Sequence, residues 1–151
     1  MVLSKFVGAS VRRKEDPRLI TGGSHPVTAT PGHYLNPTLF VETTPDMNLN
    51  QTEVFGPVAS VIRVRDLDEA LAVANATPFG LSAGIASTSL QSIRRFRREI
   101  RAGMVMANLP TAGVDYHVPF GGTKASSYGP REQGGAAQEF YTQLKTTYLR
   151  A

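Results

Sequence analysis

Two hydrophobic periodicities alternate along the centre of the chain. Residues 58–64 are rich in β-branched side chains, which predicts a strand. Residues 66–69 read Asp-Leu-Asp-Glu, which has the form of a capping box: Asp66 can accept from an amide of the first helical turn, and Glu69 can reach back to the cap. Apolar side chains then recur at the helical spacing i, i+3, i+4 and i+7. These positions are Leu67, Ala70, Leu71 and Ala74, and Pro78 with Gly80 is predicted to end the helix.

A second strand and a second helix are predicted next. Residues 81–86 form the strand, and Thr88 or Ser89 is the expected N-cap of the helix. Gly103 is expected as the C′ residue that ends this helix. One side of this helix is predicted to carry Leu90, Ile93, Arg97 and Ile100, and Phe96 lies near that side.

Two further segments have the composition of strands. Residues 104–107 are apolar throughout, as in a strand that is covered on both faces. Residues 141–149 mix Tyr, Gln, Lys and Thr with two leucines, which suits an exposed or edge strand. Strand, helix, strand, helix and strand in succession predict an α/β fold, three layers deep, around a mostly parallel sheet. Such a small sheet has open edges, which indicates that another polypeptide segment covers them.

Composition narrows the class of protein. The chain has 151 residues with 41% hydrophobic content, enough for a core. It contains no apolar run of the ~20 residues that span a membrane and no secretory leader, so we expect a cytoplasmic protein. It has no cysteine, which excludes disulfides, thiolate metal ligands and a cysteine nucleophile. Most of the formal charge of +4 lies before Asn36, where weak association with polyanions is plausible.

Glu53 and Phe55 are the first candidate binding residues. They lie two positions apart just before the strand at residue 58, so in an extended segment their side chains share a side. A carboxylate can accept hydrogen bonds from both hydroxyls of a ribose diol, and an aromatic ring can pack on a flat heterocycle. Residue chemistry alone favours the alternative, an exposed glutamate beside a core phenylalanine near a turn.

Other stretches carry less specific signals. The loop of residues 119–124 is rich in glycine but lacks the spacing of a phosphate-binding loop, and its alternative interpretation is a tight turn with Phe120 in a core. The arginines of residues 94–101 lie on both sides of Phe96, so a solvated surface is favoured and nucleic-acid binding is unlikely. The three histidines lack metal-ligand spacing, so no metal site is expected. Ser126 and Ser127 have no convincing His–Asp partners for a triad.

Taken together, several motifs resemble the last third of the aldehyde dehydrogenase superfamily, in the same order and with the same spacing. The resemblance covers residues 18–151 approximately and implies the α/β fold of the C-terminal half of that family's catalytic domain. The matching segments are Gly-His-Tyr-Leu-Asn-Pro-Thr-Leu-Phe at 32–40, Glu-Val-Phe-Gly-Pro-Val at 53–58, residues 75–84, Ala102-Gly103 through Asn108, Pro-Phe-Gly-Gly-Thr-Lys at 119–124, and Tyr141-Thr142 with Lys145-Thr146.

The resemblance implies a role for each candidate residue. Glu53 would bind the nicotinamide ribose hydroxyls of NAD or NADP, and Phe55 would pack at the nicotinamide end. Asn108 would open the loop over the substrate tunnel, and Phe120 would line that tunnel. Residues Tyr141–Leu149 would be the family's oligomerisation strand, so a homo-oligomer is expected. A small-molecule aldehyde is the implied substrate.

Two segments carry finer resemblances. Residues 104–117 and 126–134 resemble family members that oxidise 2-oxoglutarate semialdehyde (2,5-dioxopentanoate), with Ser127 and Pro130 departing from the commoner pattern. Residues 7–22 resemble the opening of molybdenum hydroxylase large subunits. We therefore divide the chain into an irregular N-terminal arm at 1–31, a fusion or truncation scar in this interpretation, and an aldehyde dehydrogenase-like segment at 32–151.

The family's catalytic cysteine, general-base glutamate and dinucleotide-binding half all precede the matched stretch, and the resemblance places none of them in this chain. The family's reaction needs a thiolate to attack the aldehyde carbon. No catalytic residue is therefore assigned, and the chain alone is expected to be inactive and to bind NAD or NADP weakly or not at all. The alternative is a non-enzymatic oligomerisation or interaction module.

Overall fold

The computed structural model describes residues 22–150. The resemblance at 7–22 and most of the arm at 1–31 lie outside these residues. The chain divides into two compact units, one ending at Asp66 and the other beginning at Leu67. Each unit contains one small parallel sheet, and the two units are described separately.

The first unit is built on a pair of three-residue strands. β1 (Thr38–Phe40) pairs in parallel with β2 (Val58–Ser60), in the register Thr38↔Val58 to Phe40↔Ser60. The short helix α1 (Asn48–Gln51) lies in the connection between them. Thr38 and Phe40 are buried while Leu39 between them is exposed, as the twofold alternation of a strand requires.

The second unit contains α2 (Leu67–Asn75), β3 (Ser82–Ile85), α3 (Leu90–Glu99) and β4 (Met104–Ala107). β3 and β4 pair in parallel over their whole length, from Ser82↔Met104 to Ile85↔Ala107, with α3 as the connection. The predicted α/β fold with parallel strands is thus confirmed. The three predicted strands do not form one sheet, however, because β2 pairs with β1 and β3 pairs with β4.

The two longer helices begin where their caps predict. α2 starts directly after Asp66, and Ser89 caps α3 by accepting a hydrogen bond from the Ser92 amide at 3.2 Å. α3 ends at Glu99 with Ile100 in extended conformation, so the prediction of Gly103 as its C′ residue was wrong. A helical C′ glycine adopts a left-handed conformation, and Gly103 instead begins the approach to β4.

A small apolar core holds α2 and α3 together. Leu71, Phe96 and Ile100 are buried, and the partly buried Leu67, Ala83, Ile85 and Ala102 pack against them. Leu90 and Arg97, predicted on the same side of α3 as Ile100, are exposed. The inward face is therefore centred on Phe96.

An ion pair also joins the two helices at their surface. Arg95 on α3 contacts Asp68 on α2 and Glu99 one turn further along its own helix. Hydrogen bonds to Glu99 and to Asp68 raise the pKa of Arg95 above its ordinary value. Because these groups are well exposed, the pair contributes orientation more than stability.

The end of the described chain is helical and then irregular. α4 (Ala136–Tyr141) was not predicted, and residues 142–150 join no helix or strand. The strand predicted at Tyr141–Leu149 is therefore not formed among the described residues, because a strand needs a neighbouring strand for its backbone hydrogen bonds. Within residues 22–150, no helix combines the length and apolarity needed to cross a membrane.

Leu71→Ala is expected to lower the free energy of unfolding by about 2–4 kcal/mol, because it opens a cavity between α2 and α3. Urea unfolding followed by tyrosine near-UV circular dichroism measures this. Leu90→Ala is the matched control: Leu90 is 59% exposed, so the change should stay within about 0.5 kcal/mol. Equal losses in both variants would contradict this description of the core.

Candidate functional site

Glu53 and Phe55 lie in the first unit, on the segment that leads from α1 into β2. Thr52 already has extended backbone angles. The Gly56 amide donates to the Val54 carbonyl at 2.8 Å, and the Val58 amide donates to the Gly56 carbonyl at 2.8 Å. These i→i+2 bonds form two consecutive γ-turns, which join the segment directly to the first residue of β2.

Both side chains of this pair are accessible. Phe55 is 86% exposed, and Glu53 is also exposed, with no hydrogen-bond or ion-pair partner among residues 22–150. The alternative of a core phenylalanine is therefore wrong for the described part of the chain. A free carboxylate can accept hydrogen bonds from a diol, and an uncovered ring can pack on a planar heterocycle.

Phe120 lies in the second unit, on a loop of residues 119–127 that we call the Phe120 loop. Phe120 forms an isolated antiparallel bridge with Glu132, in which each amide donates to the other's carbonyl, at 2.6 and 2.9 Å. The guanidinium of Arg131 also donates to the carbonyl of Gly122. Phe120 is half-buried, so part of its ring is available to a ligand and part is packed.

The Phe120 loop is attached to the start of both strands of the second sheet through Gly80. The buried Gly80 carbonyl accepts from the amides of Gly103 and Thr123, both at 2.9 Å. The Gly80 amide donates to the Ser126 hydroxyl at 2.9 Å. Two residues of the loop, Thr123 and Ser126, thus hold the carbonyl and the amide of Gly80, two residues before β3 begins.

The close approach of the Phe120 loop requires a glycine at position 103. A Cβ built on Gly103 would collide with the carbonyl oxygen of Gly121 and would lie 2.7 Å from the Cα of Gly122. Two backbones therefore pass at a distance that leaves no room for a side chain. The absence of a side chain at Gly103 serves close packing rather than helix termination.

Asn108 follows β4 and uses its side chain to continue the sheet. Its Oδ1 accepts from the Ser87 amide at 2.8 Å, and its Nδ2 donates to the Ser87 carbonyl at 3.0 Å. Its own amide donates to the carbonyl of Ile85 at 2.8 Å. Both ends of the side-chain amide are thus engaged, and Asn108 acts on the following loop through its backbone, which has a left-handed φ of 57°.

Other sequence candidates are not brought into a site. His117 packs its ring edge-on against Tyr116, with centroids 5.7 Å apart. Within residues 22–150, no three side chains of the metal-binding types gather at a possible metal site. Sequence analysis did not single out Thr123 and Lys124, which bond to the segment 75–80. No local signal marks such contacts, because the partners lie more than 40 residues away.

The sequence also matches a known family over almost its whole length. The profile described as the Aldehyde dehydrogenase family matches residues 8–147. The chain belongs to the aldehyde dehydrogenase family. The matched range begins inside the stretch at 7–22 and contains all four candidate residues of the aldehyde dehydrogenase segment.

Among curated relatives, this aldehyde dehydrogenase chain is similar to the alpha-ketoglutarate semialdehyde dehydrogenase of Haloferax volcanii, at 46% identity over 91% of the chain and 29% of the relative. It is 41% identical to the 2,5-dioxopentanoate dehydrogenase of Saccharolobus solfataricus, over 87% of the chain and 27% of the relative. The chain therefore spans between a quarter and a third of these relatives.

Solved structures agree on the fold. The NAD-dependent aldehyde dehydrogenase of Sinorhizobium meliloti superposes with a TM-score of 0.76 at 41% identity, over 83% of the chain and 24% of that protein. A variant of the indole-3-acetaldehyde dehydrogenase AldA of P. syringae, in complex with NAD+ and IAA, gives 0.80 at 36% identity, over 88% of the chain and 27% of that protein.

Asn108→Gly is expected to lower the free energy of unfolding by about 1–2 kcal/mol, because two hydrogen bonds to Ser87 are lost while the left-handed backbone is tolerated. Asn108→Ala should cost about 1 kcal/mol more, because alanine is strained at positive φ. Chemical denaturation of both variants measures the difference. If alanine were as stable as glycine at this position, the left-handed conformation would be contradicted.

Proposed function

We propose that residues 32–151 form the nicotinamide-facing wall and part of the aldehyde tunnel of an NAD(P)-dependent aldehyde dehydrogenase. The observation that carries this proposal is the exposure of both Glu53 and Phe55, which lie shortly before β2. Family membership supplies the chemical class, because the relatives are dehydrogenases of aldehydes and semialdehydes.

The pair suits the nicotinamide end of the cofactor. The two carboxylate oxygens of Glu53 would accept hydrogen bonds from the two ribose hydroxyls, and these bonds are charge-assisted. The ring of Phe55 would pack beside the nicotinamide and exclude water there. The bound dinucleotide would accept a hydride from the substrate carbon. In the second unit, Phe120 would contact the aldehyde, and Asn108 would place the loop that follows it.

The substrate we propose is a semialdehyde of the 2-oxoglutarate type. Support comes from the names of the relatives, an alpha-ketoglutarate semialdehyde dehydrogenase at 46% identity and a 2,5-dioxopentanoate dehydrogenase at 41%. The resemblance to this subgroup rests on segment 104–117, which precedes the Phe120 loop, and on segment 126–134, which includes the end of that loop and continues beyond it. Because Phe120 would contact the aldehyde in this proposal, both segments would be able to contribute to the selection of the substrate.

The nucleophile has to come from outside these 151 residues, since the chain has no cysteine. Serine and threonine hydroxyls need an adjacent base for activation. Among residues 22–150, no histidine or carboxylate is hydrogen-bonded to Ser126 or Thr123, whose bonds instead join Gly80 and Arg101. We therefore propose that the 151-residue chain is inactive by itself and binds NAD or NADP only weakly.

A chimera tests this function directly. The aligned segment of the Haloferax volcanii relative is replaced by this chain, so that the relative supplies the remaining 71% of the enzyme. The chimera should form NADH from 2,5-dioxopentanoate, whereas the 151-residue chain should form none and show no saturable NAD binding at micromolar concentration. Turnover by the chain alone would overturn the inactivity, and a folded but inactive chimera would overturn the proposed function.

In that chimera, Glu53→Gln is expected to raise the KM for NAD about 10- to 100-fold, because a hydrogen bond to a charged group contributes roughly 1.5–3 kcal/mol. The KM for the aldehyde should change little. Glu139→Gln, at an exposed acid on α4, is the matched control and should leave both constants unchanged. An unaltered KM for NAD in the Glu53 variant would remove Glu53 from the cofactor site.

A second candidate function is self-association through the C-terminal segment. Residues 142–150 form no element, yet Leu144 and Leu149 are 104% and 92% exposed, and Tyr148 is 93% exposed. A segment that joins no sheet and exposes apolar side chains among polar ones can add as a strand to the edge of another copy's sheet. We propose that Tyr141–Leu149 does this in the assembled protein, where it would become the strand that the sequence predicts.

Removing residues 142–151 is then expected to convert the oligomer to a monomer, measured by sedimentation equilibrium across a range of concentrations. Lys145→Ala is the control that keeps the segment and should keep the oligomer. A full-length chain that stays monomeric at high concentration, or an oligomer that survives the deletion, would contradict association through this segment.

A further inference from the structure

The ammonium of Lys124 is bound by three backbone carbonyls of the turn between α2 and β3. Its Nζ donates to the carbonyl oxygens of Asn75 at 3.2 Å, Thr77 at 3.0 Å and Phe79 at 3.0 Å. An ammonium has three N–H donors, so all of them are used. The partners are neutral carbonyls and not a carboxylate, so the contact differs from a surface ion pair.

Asn75 is the last residue of α2, while Thr77 and Phe79 lie in the turn that follows the helix. The last turn of a helix leaves its carbonyl oxygens without amide partners and carries a partial negative charge. α2 has no basic residue in its own last turn. Lys124, 45 to 49 residues further along the chain, therefore supplies the cation that the end of this helix lacks.

The backbone of Lys124 is fixed on both sides. Thr123 donates its hydroxyl to the carbonyls of Gly80 and Arg101, at 3.3 and 3.1 Å, and the Ala125 amide donates to the Pro78 carbonyl at 3.1 Å. Lys124 itself has a left-handed φ of 55°. A non-glycine residue keeps such a conformation only where its surroundings over-determine it. The side chain is thereby held toward the end of α2.

Phe120 depends on this anchor because two glycines separate it from Thr123. Gly121 has a φ of 153°, a conformation that only glycine adopts readily, and Gly122 adds a second residue without a Cβ. The Gly122 amide donates to the Ser127 hydroxyl at 2.6 Å, and the Gly122 carbonyl accepts from Arg131. The position of the Phe120 ring is therefore set jointly by the Glu132 bridge, by these contacts of Gly122, and by Thr123 and Lys124.

We propose that Lys124 is a positioning residue, which fixes the Phe120 loop to the C-terminal end of α2 and so sets the orientation of Phe120. The proposal rests on the proposed function in so far as Phe120 contacts the aldehyde. It assigns to Lys124 an effect on aldehyde binding, exerted through Phe120, and none on the cofactor.

Nuclear magnetic resonance of the full chain tests the contact without any activity. Lys124 and Lys145 are both exposed residues, so the three hydrogen bonds alone should slow the exchange of the Lys124 ammonium protons with water relative to those of Lys145. In Lys124→Ala, the amides of Phe120 and Thr123 should exchange about tenfold faster or more, because the loop opens locally. The amides of Met104 and Asn108, which donate to the carbonyls of Leu81 and Ile85, report whether the β3–β4 sheet remains folded and should be unaffected.

Chemical rescue separates a donor requirement from a charge requirement. Methylammonium added to Lys124→Ala should restore protection of the Phe120 amide, since it offers N–H donors to the three carbonyls. Tetramethylammonium has the same charge but no donor and should restore nothing. An unprotected Lys124 ammonium in the unaltered chain, equal rescue by both cations, or equally faster exchange in β4 and the loop would each overturn the proposal.

The chimeric enzyme completes the test. Lys124→Ala should raise the KM for 2,5-dioxopentanoate several-fold, leave the KM for NAD unchanged, and recover with methylammonium. If the exchange and rescue results hold but the aldehyde KM does not move, the role of Phe120 in the proposed function fails, and the positioning of the loop by Lys124 stands only as structure.

Discussion

The carbonyl of Gly80 is the point on which the second unit depends. It accepts the amide of Gly103, which leads into β4, and the amide of Thr123, which belongs to the Phe120 loop. Gly80 itself is buried, and a Cβ there would collide with the hydroxyl of Thr123. Because buried backbone groups need hydrogen-bond partners, the Gly80 carbonyl fixes β3, β4 and the Phe120 loop relative to one another.

This arrangement explains how a small sheet can hold the candidate site residues of the second unit in place. Short strands give little rigidity by themselves, and β3 and β4 pair over only four residues. The side chain of Asn108 extends the pairing to Ser87 at one end, and the contacts of Gly80 reinforce the other. In this unit, the candidate ligand-binding residues lie on loops. Polar side chains that could otherwise bind a ligand, such as those of Asn108 and Lys124, instead hydrogen-bond to the backbone and hold these loops in place.

Sequence reasoning succeeded where the signal was local. The capping residues at Asp66 and Ser89 and the helical spacing around Leu71 gave α2 and α3, because these patterns act within a few residues. It failed for β1, whose three residues acquire strand structure only through pairing with β2. The prediction of one continuous sheet came from counting three strands along the sequence. The predicted strand at residues 58–64 is also longer than β2, which extends only over the three residues that pair with β1.

The candidate site divides in the same way. The exposure of the Glu53–Phe55 pair is consistent with a ligand role, which motif order and not residue chemistry had suggested. The partners of Asn108 lie 21 residues away, and those of Lys124 lie more than 40 residues away, so no sequence window contains both ends of these contacts. The same separation was responsible for the misassignment of Gly103, whose neighbour is the carbonyl of Gly121.

The sequence separation between Thr123 and Gly80 also bears on the order in which parts of the second unit fold. β3 and β4 pair across a connection of about twenty residues, while the bond from Thr123 closes a segment of 43. Larger loops cost more conformational entropy to close, and contacts of high sequence separation form late. The Phe120 loop is therefore expected to dock after β3 and β4 have paired. A newly synthesised chain would acquire its helices and sheet before it orders this candidate ligand-binding loop.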